Sequence, residues 1–109
     1  MNPLLHVNGS SYATEVLQSE LPVFIDVTAA WCAPCKAAAP VVAELALQHA
    51  GRLKVVVIDA DEAPELVAAL GVRGFPTFLG MRRGDVVARQ AGFPGKRQLL
   101  ELASRVLES

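Results

Sequence analysis

The run Trp31-Cys32-Ala33-Pro34-Cys35 holds both cysteines of the 109-residue chain. Two residues between cysteines is the spacing of a redox-active dithiol. Ala-Pro directly after the first cysteine starts a helix well, because proline in the first turn gives up no helical hydrogen bond. The spacing therefore predicts a helix beginning at Ala33, with Cys32 at its N-terminus. The free N–H groups and the dipole at that end favour a thiolate over a thiol. Cys35 then lies one turn deeper, within reach of Cys32, so that one sulfur can attack and the other can resolve.

Two blander readings share this spacing. A CxxC pair is half of a zinc site, which needs four ligands. The remaining soft candidates, His6 and His49, stand far apart and lack zinc-finger spacing. The pair can also be two inert buried thiols, a reading with which the neighbours Ala37 and Ala38 are compatible.

Outward from the dithiol, strands alternate with helices. Upstream, Val23-Phe24-Ile25-Asp26-Val27 reads as a strand covered on both faces. Ser10 or Ser11 is positioned to cap a short helix reaching Gln18, with Val16 and Leu17 inward. Downstream, the helix from Ala33 runs to about His49, with Val41, Val42, Leu45 and Leu47 as its apolar set. Pro40 lies inside it and should kink it, and Gly51 closes it. Leu53–Ile58 is a second buried strand. Pro64 to Leu70 is a short helix with proline at its start and Gly71 after its end. Thr77-Phe78-Leu79 and Val86-Val87-Ala88 flank Arg83-Gly84-Asp85 as a hairpin. Lys96–Leu107 is a final amphipathic helix with Leu99, Leu100, Ala103, Val106 and Leu107 on one face. Such an order implies an α/β fold, a sheet with helices on both faces and an antiparallel hairpin at one edge. The dithiol falls where the first buried strand ends, and sites in such sheets sit at the carboxyl ends of strands.

Composition narrows the function classes. The length suits one domain, residues 1–109. Hydrophobic residues make up 52% of the chain, enough for a core without metal or disulfide staples. The net charge is −1 and there is no Lys/Arg run, which argues against nucleic acid. No segment has the length of a membrane span. Met1-Asn2-Pro3-Leu4-Leu5-His6 has neither a basic start nor an apolar stretch of about 7–15 residues, so no secretory leader is expected. Two cysteines in a cytoplasmic chain point to redox chemistry or metal rather than to a structural staple.

With these segments in place, the chain resembles the thioredoxin family over nearly its whole length. The matching residues are Asp26, Ala30-Trp31-Cys32-Ala33-Pro34-Cys35-Lys36, Ala39-Pro40, Asp59 to Asp61, Gly71-Val72-Arg73-Gly74-Phe75-Pro76-Thr77, Arg83-Gly84-Asp85 and Gly92. The resemblance implies a thioredoxin fold with a central mixed sheet of four to five strands. It implies Cys32 as the attacking thiolate, Cys35 as the resolving thiol and the two as a redox-active disulfide. Asp26 would be a buried carboxylate that handles the Cys35 proton. Pro76 would follow a cis bond and face the disulfide. Trp31, Pro34, Gly74, Phe75, Pro76 and Gly92 would form an apolar platform for a substrate polypeptide.

Each role has a physical basis. Resolution requires Cys35 to lose a proton in a dry pocket, where a base helps. Asp26 sits among apolar strand residues, where a charge is costly without a use. A tryptophan beside the dithiol suits a docking surface. The chain also departs from the family pattern. Ala33 replaces the usual Gly, Thr28 the usual Trp, and Phe75 the usual Ile or Val. Val57 stands where many relatives place a Lys near the buried Asp, and without it the protonated form of Asp26 gains.

The expected activity is a cytoplasmic, monomeric thiol–disulfide oxidoreductase that reduces protein disulfides without a bound cofactor. The resemblance implies an NADPH-dependent thioredoxin reductase as its electron donor. One rival is a disulfide oxidase or isomerase of the same fold, although Ala33-Pro34 lacks the His that oxidising relatives often carry there. Another is a non-enzymatic redox-sensing or partner-binding module.

Overall fold

The valine-rich segments form the centre of a five-stranded sheet in the computed structural model, which describes residues 4–109. Strand β2 (Val23–Thr28) pairs in parallel with β3 (Lys54–Asp59) and antiparallel with β4 (Thr77–Arg82). The hairpin partner β5 (Asp85–Ala91) lies outside β4, and the short β1 (Leu5–His6) lies outside β3. The order is β1-β3-β2-β4-β5, the mixed sheet that the alternation of strands and helices predicts.

Both faces of β2 are covered, so its residues Val23 to Val27 are all buried. Side chains alternate between the faces of a strand. Phe24 packs with Val55 and Phe78 under α1 (Ala33–Gln48) and α3 (Lys96–Glu108). Val23, Ile25 and Val27 face the other way, against Val67 of the short helix α2 (Pro64–Ala69) and against Val16, which precedes β2. Burying side chains of this size contributes about 1.5–3 kcal/mol each.

Two local devices hold this packing. Gly80 of β4 has no side chain because α3 crosses directly over it: a Cβ there would run into Val106 Cγ2. At the far end of α3, Arg82 donates from Nη2 to the carbonyls of Val106 and Leu107, at 3.2 and 2.8 Å. Basic side chains commonly satisfy the open carbonyls of a helix end in this way. The β4–β5 turn puts Arg83 at φ 53° and Gly84 at φ 84°, the pair of positive angles that suits the twist of a two-residue hairpin.

Some details differ from the sequence expectations. The segment before β2 is a single π-helical turn, Ala13–Leu17, with no side-chain cap. Instead, Asn8 Oδ1 accepts from the backbone N–H groups of Ser10 and Ser11, an Asx-type turn that leads into it. Val16 is buried but Leu17 is exposed. In α1 the buried set is Cys35, Ala38, Val42, Leu45 and Ala46, and Leu47 is exposed. Leu47 is two residues from Leu45, and residues so spaced do not share a helix face. Pro40 is exposed and lies inside α1, where the sequence places it. Met1 to Pro3, part of the leader reading, lie outside the described residues. Among the described residues no helix is long and apolar enough to cross a membrane.

Candidate active site

The carboxyl ends of β2 and β3 and the start of β4 meet at one end of the sheet. From there the chain passes through Ala29, Ala30 and Trp31 into α1. Cys32 is the N-cap of α1, in extended backbone, and its Sγ accepts from the backbone N–H of Cys35 at 3.2 Å. Cys35 is in the first turn, 5.2 Å from Cys32 between Cα atoms, and the two are joined in a disulfide. The helix start predicted at Ala33 is thus the feature that brings both sulfurs together.

Cys32 and Cys35 are 5% and 4% exposed, so accessibility does not set Cys32 apart in the disulfide form. They form a small cluster with Ala29, against which Ala60 and Phe75 pack. What the site presents to solvent is its rim: Trp31, Ala33, Pro34 and Gly74 are exposed. Trp31 is 69% exposed. Its ring meets that of Phe75 edge to face, with centroids 5.7 Å apart and an interplanar angle of 87°.

The loop before β4 is braced from both sides. Thr77 is buried, and its Oγ1 donates to the Gly74 carbonyl at 2.7 Å. The Gly92 N–H donates to the Pro76 carbonyl, also at 2.7 Å, and Gly92 has φ 78°, where glycine is favoured. The Phe75–Pro76 peptide bond is cis, as the resemblance implies, and Pro76 is buried. Gly74, Phe75, Pro76 and Gly92 are therefore brought into one braced corner, with Phe75 linking it to the cysteines and to Trp31.

Asp26 is buried at 5% exposure on the face of β2 that carries Phe24, under α1 and α3. Its in-register neighbours are Val57 on β3 and Phe78 on β4, both apolar. Its Oδ1 has no hydrogen-bond partner among the described residues. Burial pushes its carboxyl up to about 7, because a charge in such surroundings is poorly solvated.

The histidines lie elsewhere. His6 is exposed on β1, and His49 caps the opposite end of α1 beside Arg52. Among the described residues no three His, Cys, Asp or Glu side chains gather as a metal-ligand set. Ala29, which walls the cysteines together with Ala60, had no signal in the sequence beyond its place after a strand end, whereas Ala60 lies within the matching stretch Asp59 to Asp61. Small apolar residues become site residues only through such adjacency.

A dithiol pair at the start of a helix, at the carboxyl edge of a mixed sheet, defines a thiol–disulfide oxidoreductase. The chain belongs to the thioredoxin family, whose profile matches residues 3–106. It is similar to a thioredoxin of Haemophilus influenzae, 41% identical over 99 residues that cover 91% of this chain and 92% of the relative. Thioredoxin 1 of Nostoc sp. is 36% identical over 107 residues, covering 98% of this chain and all of the relative. A thioredoxin of Thiocapsa roseopersicina is 44% identical over 85 residues, or 78% of this chain and 93% of the relative. The family reduces protein disulfides by thiol–disulfide exchange through its CxxC dithiol, and thioredoxin reductase in general returns its members to the reduced form.

Proposed function

We propose that Cys32 is the attacking thiolate, Cys35 the resolving thiol and Asp26 the base that accepts the Cys35 proton. The observation that carries this reading is the Cys35 N–H aimed at Cys32 Sγ from the first turn of α1. In the reduced form a hydrogen bond to that sulfur, together with the helix dipole, favours the anion. The Cys32 thiolate attacks a sulfur of the substrate disulfide, forms a mixed disulfide and releases one substrate thiolate. Cys35 then loses its proton and attacks Cys32 Sγ. The intramolecular disulfide closes, and the second substrate sulfur leaves as a thiolate.

Trp31, Pro34, Gly74, Phe75, Pro76 and Gly92 form the docking platform for a protein substrate, with Trp31, Pro34 and Gly74 exposed at its rim, Phe75 and Gly92 half-buried and Pro76 buried behind them. The chain acts as a single-domain monomer over residues 1–109 in the cytoplasm. It carries electrons from an NADPH-dependent thioredoxin reductase to disulfide-containing proteins and needs no bound cofactor of its own.

The test is turnover with NADPH and thioredoxin reductase on a disulfide-linked protein, run beside a Cys35→Ser variant. The wild type should consume NADPH in step with substrate thiols released. The variant should stall as a mixed disulfide on Cys32. Adducts of the single-cysteine variants found mainly on Cys35 would reverse the assignment.

A further inference from the structure

A cavity of about 210 Å³ opens to solvent beside Cys35, bordered by Thr28, Cys35, Lys36, Ala39 and Asp59. This is room for several waters, which occupy about 30 Å³ each in the liquid. Strand alternation puts Thr28 on the same face of β2 as Phe24 and Asp26, toward α1. Asp26 marks the dry end of that face, among Val57 and Phe78. Thr28 marks the wet end, half-buried and in register with Asp59. A threonine leaves this space open, whereas a large side chain would fill it. The charged groups on the cavity are Lys36 from α1 and Asp59 from the end of β3, whose Oδ1 accepts from the Asp61 N–H at 2.8 Å. Lys36 thus puts a positive charge on the border of the same cavity that Cys35 lines.

We propose that this cavity gives the Cys35 thiol a second proton exit, to water, in parallel with Asp26, and that Thr28 is the positioning residue that keeps it open. The inference rests on the roles of Cys35 and Asp26 given above. In the step concerned, Cys35 gives its proton to cavity water, which passes it to bulk solvent. The thiolate attacks Cys32 Sγ of the mixed disulfide, the Cys32–Cys35 bond forms, and the bond from Cys32 to the substrate sulfur breaks. The substrate sulfur leaves as a thiolate and is protonated by solvent. A route to water remains usable when the buried carboxyl already holds a proton, which at neutral pH is a large share of molecules.

The experiment is a double-mutant cycle on single-turnover resolution of a mixed disulfide, measured from pH 5.5 to 8.5. The proteins are the wild type, Thr28→Trp, Asp26→Asn and the double variant. Two parallel exits predict that each single change slows resolution modestly. They predict that both together slow it at least about tenfold beyond the product of the single effects. With the cavity filled, the pH profile should follow the Asp26 carboxyl alone. Thr28→Ser, which keeps the cavity, should match the wild type. Thr28→Leu serves as a smaller filler if Thr28→Trp does not fold, as judged by its thermal melt. Single effects that simply multiply, or a Thr28→Trp pH profile identical to that of the wild type, would overturn the proposal. If Cys35→Ser fails to trap the mixed disulfide, the reading of the site falls and takes the proposal with it, an outcome distinct from multiplying effects.

Discussion

Asp26 and Val57 stand opposite one another in the parallel β2–β3 ladder, a carboxyl paired in register with an aliphatic side chain in the middle of a buried sheet. The Val57 side chain can neither donate a hydrogen bond nor supply a positive charge. Burial therefore acts on Asp26 unopposed and pushes its carboxyl up to about 7. In an unfolded chain the same group titrates near 3.8, its ordinary value. The folded protein thus binds the proton more tightly. Its contribution is most favourable below the unfolded value and is lost as pH rises toward the folded one. The difference corresponds to a loss on the order of 4 kcal/mol across that window. Asp26→Leu should remove the dependence: denaturant melts should find it more stable than the wild type at pH 8, with the gap shrinking toward pH 4. A gap that is constant with pH would contradict the burial argument.

Val57→Lys tests the same pairing from the other side. An ammonium in register with Asp26 should favour its charged form and move its titration to lower pH, by on the order of one unit. The midpoint of the resolution rate against pH should move with it. Because Val57 is itself buried, the substitution should also lower stability. An unmoved midpoint would mean that the lysine turns away from the carboxyl.

Trp31 and Phe75 meet edge to face at the rim of the site. Aromatic pairs of this kind contribute about 0.5–1.5 kcal/mol beyond their burial, and exposed aromatics are frequent anchors for partners. Trp31→Ala should reduce kcat/KM on a protein disulfide by about tenfold while changing the rate on a small disulfide far less. Equal losses on the two substrate classes would place the effect in the chemistry rather than in docking.

Gly80→Ala should destabilise the fold, because the added methyl group meets Val106 of α3. Overpacking of this kind costs about 1–3 kcal/mol. Val106→Ala alone should also destabilise, by opening a cavity in the core. The two changes combined should cost less than their sum. Thermal melts of the four proteins would read this directly, and additive losses would show that α3 shifts away instead.

Much of this molecule is dictated locally. The central strands were legible because residues buried on both faces are mostly apolar, as Val55–Ile58 are throughout and Val23–Val27 are apart from Asp26. The start of α1 was legible because proline after Cys32-Ala33 is best accommodated in a first turn, which sets the spacing of the two sulfurs. The resemblance then supplied what no periodicity carries, the cis bond before Pro76 and the grouping of Gly74, Phe75 and Gly92. Leu17 and Leu47 show the limit of reading hydrophobicity one residue at a time: each is apolar, yet helix geometry turns it to solvent. Asp26 was legible as buried, but its lack of a partner was settled only by the strand register that places Val57 and Phe78 beside it. The same holds for the contact of Phe75 with Trp31 and for the cavity between Thr28, Lys36 and Asp59. The sequence alone therefore determined the dithiol, its place at a helix start and the alternation of strands and helices, since these follow from spacing, backbone sterics and burial pattern within one segment. The tertiary structure alone decided which side chains from separate segments surround the sulfurs and the buried carboxyl. That depends on sheet order and register, which set the distances between residues far apart in the chain.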